Sequence, residues 1–122
     1  MPLSQPNSGT YLPTATGSYT TLFTDTTLGL KQFGIDITNL PAGTLLFLSF
    51  QTILTSGGST YQEFDNATLS VPVSIPAAPS AGYQPLQFFK WDTSLSGFQV
   101  QAQIVSGTLP STALNWVENA VS

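Results

Sequence analysis

Two lysines and six acidic residues are all the ionisable charge that this chain of 122 residues carries at neutral pH. Arginine, histidine and cysteine are absent. Charged residues amount to 7%, against roughly a quarter in an ordinary soluble domain. Glu, Lys and Arg are the residues that usually build exposed helix faces, so a chain almost without them has little to make helices from. What it has instead favours strands: 17 Thr, 14 Ser, 8 Phe and 4 Tyr, with 9 Pro and 10 Gly to punctuate them. An all-β, single-domain antiparallel β-sandwich or barrel, jelly-roll-like, follows from that bias.

The same scarcity excludes several kinds of chemistry. Without His or Cys there is no catalytic triad, no Cys–His nucleophile and no zinc site. Two lysines against a formal charge of −4 leave no phosphate-binding footprint, so nucleic acid is not expected as a partner. Residues 1–20 hold neither a basic nor an apolar leader region. The longest apolar run, Leu45 to Leu48, is far short of the roughly 20 residues that span a bilayer. The expectation is a chain made in a cytoplasm, with no membrane association and no cofactor.

The neutral exterior has two readings. It is a robust surface that stays soluble without charge, or much of it is covered by neighbouring subunits. The positive mean hydropathy of +0.15 in a chain with no membrane segment favours the second.

Residues 1–17 combine Pro2, Pro6 and Pro13 with Gly9 and Gly17 among small polar residues. They read as an extended N-terminal arm, with residues 18–122 as the β-sandwich domain. The arm is a frayed terminus or a segment that orders on a neighbour, and Leu3, Tyr11 and Leu12 are its apolar anchors.

Beyond it, alternation marks strands at Ser18–Phe23, Leu28–Gln32 and Ile35–Ile37, with Asp25-Thr26-Thr27 as a turn between the first two. Leu40-Pro41-Ala42-Gly43 is a turn in which Gly43 is free to take positive φ. Thr44–Leu54 is apolar on both faces, as a central or covered strand would be. After Ser56-Gly57-Gly58-Ser59 come strands at Thr60–Phe64 and Ala67–Ile75, the latter placed at a sheet edge by Pro72. Residues 76–85 are a long, Pro-rich connection of the kind that serves as an interaction surface. Leu86–Trp91 is dense in aromatics. Phe98, Val100, Ala102 and Ile104 alternate with Gln99, Gln101 and Gln103, and Leu114–Val121 closes the domain with Leu114 and Trp116 as core. Eight short strands with turn signals between them make a sandwich or barrel.

The acidic residues read as structural. Glu63 and Asp65 share a strand face and form a solvated surface around Asn66. Asp36 caps or salt-bridges at a strand end, Asp92 enters a turn, and Glu118 lies at the rim. A serine nucleophile would have only Lys31 or Lys90 as base, and no nucleophile-elbow pattern is present, so no enzymatic activity is expected. Tyr61, Tyr83 and Trp91 are the aromatics that could stack on a sugar.

Three stretches carry a resemblance. They are Ile35-Asp36-Ile37-Thr38-Asn39-Leu40-Pro41-Ala42-Gly43-Thr44, Tyr61-Gln62-Glu63-Phe64-Asp65-Asn66-Ala67-Thr68-Leu69-Ser70, and Leu114-Asn115-Trp116-Val117-Glu118-Asn119-Ala120-Val121. Together they resemble small β-rich structural proteins of tailed bacteriophages, over residues 35–121. The chain departs from that pattern at Gly43-Thr44, where the family's acidic turn residue is missing. The resemblance implies a virion component. Within it a capsid cement or decoration protein fits best, on the capsid surface against the major capsid protein and as a homo-oligomer, with a trimer favoured. A fibre, spike or tail subunit, or a carbohydrate-binding module, is the alternative. The residues expected to meet the partner are Leu3, Tyr11 and Leu12 of the arm, and Pro79, Tyr83 and Pro85 of the connection.

Overall fold

A computed structural model describes residues 3–53, 58–72 and 84–121. Seven strands run Leu3–Tyr11 (β1), Thr20–Asp36 (β2), Leu45–Thr52 (β3), Gln62–Leu69 (β4), Leu86–Lys90 (β5), Leu95–Ser106 (β6) and Leu114–Val121 (β7), and the described residues contain no helix. The fold is all-β, as the composition requires. The seven strands pair antiparallel, in the order β1-β7-β2-β6-β3-β4 with β5 also on β2, and the sheet does not close into a barrel.

The two layers meet in β2. The first half of this 17-residue strand pairs with β6, from Thr20 opposite Ala102 to Gly29 opposite Leu95. Its second half pairs with β7 on one side and β5 on the other. One layer is therefore β1-β7-β2-β5 and the other β2-β6-β3-β4, and the inner faces pack on each other. Phe33 and Phe50 meet across the gap at 5.8 Å between ring centroids, and Phe23 stacks on Trp116 at 5.0 Å. Leu46, Leu48, Phe50, Phe98, Val100, Ala102, Ile104 and Leu114 are fully buried between the layers.

The expected turn at Asp25-Thr26-Thr27 lies inside β2. The Asp25 carboxylate accepts the Thr27 N–H at 2.9 Å and its hydroxyl at 2.7 Å. That is the local bonding a turn would use, but here it produces a register shift between Asp25 and Leu28. The bulge redirects the strand from one layer to the other without reversing it. The three short strands expected over residues 18–37 are thus one. Likewise Asp65 accepts the Asn66 N–H at 2.8 Å while both residues stay in the ladder of β4, which replaces the expected break near residue 65. β4 is an edge strand; residues 73–75 of the strand expected there lie outside the described residues.

The N-terminal segment is extended, yet most of it is not a free arm. β1 pairs with β7 from Leu3 opposite Val121 to Tyr11 opposite Leu114, with an irregularity between Ser4 and Asn7. Pro6, which has no N–H to give a ladder, falls in that gap, as a proline must in an edge strand. Gly9 lies against the Trp116 indole; a Cβ there would sit 3.0 Å from its Cζ2. Gly43 has φ +81° and closes the turn before β3 as its sequence suggests.

Candidate functional site

Apolar side chains are exposed at several places, among them Leu28, Tyr19, Phe64 and Val105, and the outer face of the β1-β7-β2-β5 layer carries two of the most exposed side by side. Along β5 the pleat turns Phe89 toward Phe50 in the core, at 5.1 Å between ring centroids, and turns Leu86, Phe88 and Lys90 outward. Leu86 and Phe88 are each 56% exposed. The register sets them beside Asp36 and Gly34 of β2. The Phe88 ring packs against Gly34, whose hypothetical Cβ would come within 2.5 Å of it; only glycine leaves room for that close approach. Leu30 on β2 and Val117 and Val121 on β7 extend the apolar surface.

Two shallow depressions cut into this face. One, of about 150 Å³, is lined by Gly34, Asp36, Leu86, Phe88 and Val117 among others. The second, of about 250 Å³, is lined by Leu30, Lys31, Gln32, Lys90, Trp91, Asn119 and Val121. Asp36 and Lys90 stand at opposite ends of the β2–β5 pairing. Asp36 is occupied locally, its Oδ1 accepting the Thr38 N–H and hydroxyl at 2.9 and 2.6 Å, which is the capping role its position suggested.

The residues picked out from sequence fall in different places. Tyr11 is a core residue, 2% exposed, and burial pushes its hydroxyl pKa up to about 12. It cannot meet a partner without leaving the core, because β1 is a strand of the sheet and carries its inward residues with it. Leu12, just past that strand, is 52% exposed and remains available. The Leu3 backbone pairs with β7. Pro79 and Tyr83 lie outside the described residues. Pro85 is half-buried, its carbonyl accepts the Ile37 N–H at 2.8 Å, and it leads directly into Leu86 and Phe88. Those two were the surface pair that sequence reasoning missed; the alternation Leu86-Gln87-Phe88 puts them on one face without saying which face is outside.

Among the sugar-stacking candidates, Trp91 packs on Phe50 and Phe98 at 5.0 and 5.2 Å and donates its Nε1–H to Asp65 at 2.9 Å. Glu63 accepts the Ser49 hydroxyl at 2.6 Å. Both carboxylates of that strand thus serve neighbouring side chains.

A polar group sits in the core. Lys31 and Glu118 point inward beside Phe33 and Trp116, and Asp25 faces them from the bulge. Lys31 Nζ donates to Asp25 Oδ2 at 2.8 Å with side-chain exposures of 1% and 6%, and Asn7 Nδ2 donates to Glu118 Oε1 at 2.8 Å. Glu118, expected at the rim, is fully buried. Its Oε2 receives no donor from any other group. It is satisfied when Glu118 carries a proton and gives it to the neighbouring Asp25 carboxylate. Burial, then that hydrogen bond, push the Glu118 pKa up to about 8, against the pull of Asn7 and Lys31. Burial also pushes Asp25 upward, but the hydrogen bonds from Glu118, Lys31 and Thr27 outweigh it and hold Asp25 well below the usual carboxylate range. The raised pKa keeps Glu118 protonated at neutral pH beside the Asp25 carboxylate.

No family model matches this chain, and neither curated proteins nor solved structures give a significant match.

Proposed function

We propose that this chain is a non-enzymatic structural protein of a virion, of the capsid cement or decoration type, which docks on the coat-protein shell through the outer face of β5, β2 and β7. The observation that carries the docking mode is the pair Leu86 and Phe88, each more than half exposed on a regular, well-packed strand. Closing a protein surface over them removes apolar area from water at about 25 cal/mol per Å². It strips few ions of their hydration, since Asp36 and Lys90 lie at the ends of the β2–β5 pairing. Each contact can be modest, because association costs take back much of the gain. Repeated across every joint of a shell, and by copies that associate with each other as a trimer, it raises the work of separating coat subunits. The virion assignment itself rests on the resemblance over residues 35–121.

The test is a binding assay on shells of the coat protein encoded with this chain. Wild type should co-sediment and delay thermal disruption of the shells. Phe88→Asp and Leu86→Asp should stay folded and lose at least tenfold in affinity. Binding unchanged in both variants would remove this face from the proposal, and shells that disrupt at the same temperature with and without the protein would remove the cement role. Phe88 beside a depression bearing Gln32 and Asn119 is also a surface on which a sugar ring could stack. A soluble monomer that binds glycans and ignores shells would favour that module instead.

A further inference from the structure

The Lys31, Asp25 and Glu118 group has a reactivity that docking does not use. A primary amine lies 2.8 Å from a carboxylate oxygen. Both side chains are almost wholly removed from solvent, and a third, fully buried carboxyl, that of Glu118, neighbours the same carboxylate. The walls are the apolar faces of Phe23, Phe33 and Trp116, which stack on one another here.

In water an ammonium–carboxylate pair does not condense. Asp25 is held as a carboxylate by its hydrogen bonds, so the reactive form is the minor neutral one. Burial this complete lowers the cost of that form relative to water. Passing one proton from Lys31 to Asp25 leaves the net charge unchanged and gives an amine facing a carboxylic acid.

We propose that Lys31 and Asp25 become joined by an intramolecular amide bond, formed by the folded protein itself with Glu118 as the catalytic acid and proton shuttle. The Lys31 Nζ lone pair attacks Asp25 Cγ and the C–N bond forms. Glu118 gives its proton to the Asp25 oxygen that departs. That C–O bond breaks, one Nζ proton returns to Glu118, and one water molecule leaves. Nothing is oxidised or reduced, and no other reactant is consumed. Well-oriented intramolecular reactants reach effective molarities of about 10⁵–10⁸ M, and the closed core denies water the reverse attack. The product is a covalent ring across the bulge of β2, at the point where the strand passes between layers. A chain without cysteine gains a crosslink that needs no oxidising compartment.

The experiment is intact-mass spectrometry of the full chain under denaturing conditions, followed by trypsin mapping. Wild type should be lighter than its sequence mass by one water. Trypsin should fail to cut after Lys31 even in the unfolded chain, and fragmentation should place the link between Lys31 and Asp25. Glu118→Gln keeps both hydrogen-bonding positions, and should fold yet retain its full mass. Lys31→Arg should also retain full mass. A wild-type chain of full mass that is cut normally after Lys31 overturns the proposal. So does loss of one ammonia with a link to Asn7, or water loss that maps to a succinimide elsewhere. Link formation in Glu118→Gln at the wild-type rate overturns the role of Glu118.

Discussion

Burying a protonated Glu118 ties folding to pH in a direction opposite to that of a salt-bridged carboxylate. In the folded chain its pKa is about 8, against an ordinary value of 4.5. Between those two values the native state holds a proton that the unfolded state has released, so stability falls as pH rises. Below the lower value the contribution is fully present, and above the upper one it is lost. The slope is at most about 1.4 kcal/mol per pH unit, and the whole window is worth no more than about 5 kcal/mol. That is a large fraction of the roughly 5–15 kcal/mol by which domains of this kind are stable. Asp25 works the other way: its depressed pKa contributes stability above the ordinary carboxylate range that is lost on acidification, as long as it is unlinked. The assay is urea unfolding between pH 4.5 and 8.5, followed by tryptophan fluorescence, to which Trp116, stacked on Phe23 in the core, contributes with Trp91. Wild type should lose several kcal/mol relative to Glu118→Gln across this range. A Lys31–Asp25 link would displace the wild-type curve as a whole and leave the slope, because burial is the main cause of the shift. Parallel curves for the two proteins would refute the assignment of a buried, protonated Glu118.

Three further substitutions probe the packing. Phe50→Ala removes a fully buried ring that touches Phe33, Phe89, Trp91 and Phe98; it should cost about 3–5 kcal/mol and lower Tm by roughly 10 °C or more in a thermal melt. Gly107→Ala forces a side chain into φ +102° with its methyl 2.7 Å from the Thr44 backbone; a loss of about 1–3 kcal/mol is expected in urea unfolding, and a neutral result would contradict that backbone conformation. Gly34→Ala pushes on Phe88, an exposed ring that can swing away. Its Tm should therefore change little while shell binding weakens, a separation that melts and co-sedimentation together reveal.

The strand-rich class was readable because it depends on what the chain lacks, and β6 and β7 were readable because their alternation is complete. Phe98, Val100, Ala102 and Ile104 turn one way on β6 and are all fully buried. β2 was misread for a physical reason. Asp25 and the Thr27 hydroxyl bond to each other in a bulge as they would in a turn, and local chemistry does not say whether the chain reverses. β1 was missed because its partner, β7, is more than a hundred residues away, and proline and glycine hide an edge strand that needs only half of its ladder. Glu118 was placed outside on residue type alone, although Leu114, Trp116 and Ala120 share its parity and are buried. A charge on that face was the signal of a paired interior. The docking face left a fainter trace, since outward Leu86 and Phe88 look the same in sequence as inward ones.

The most direct test of the docking account is hydroxyl-radical footprinting of the chain free and bound to coat-protein shells. Leu86, Phe88 and Leu30 should react in the free protein and be protected several-fold when bound, while Tyr19, exposed just before β2 and packed beside Phe47 of β3, keeps its reactivity. Equal labelling of Leu86 and Phe88 in both states would contradict the central claim that this face is the one that meets the shell.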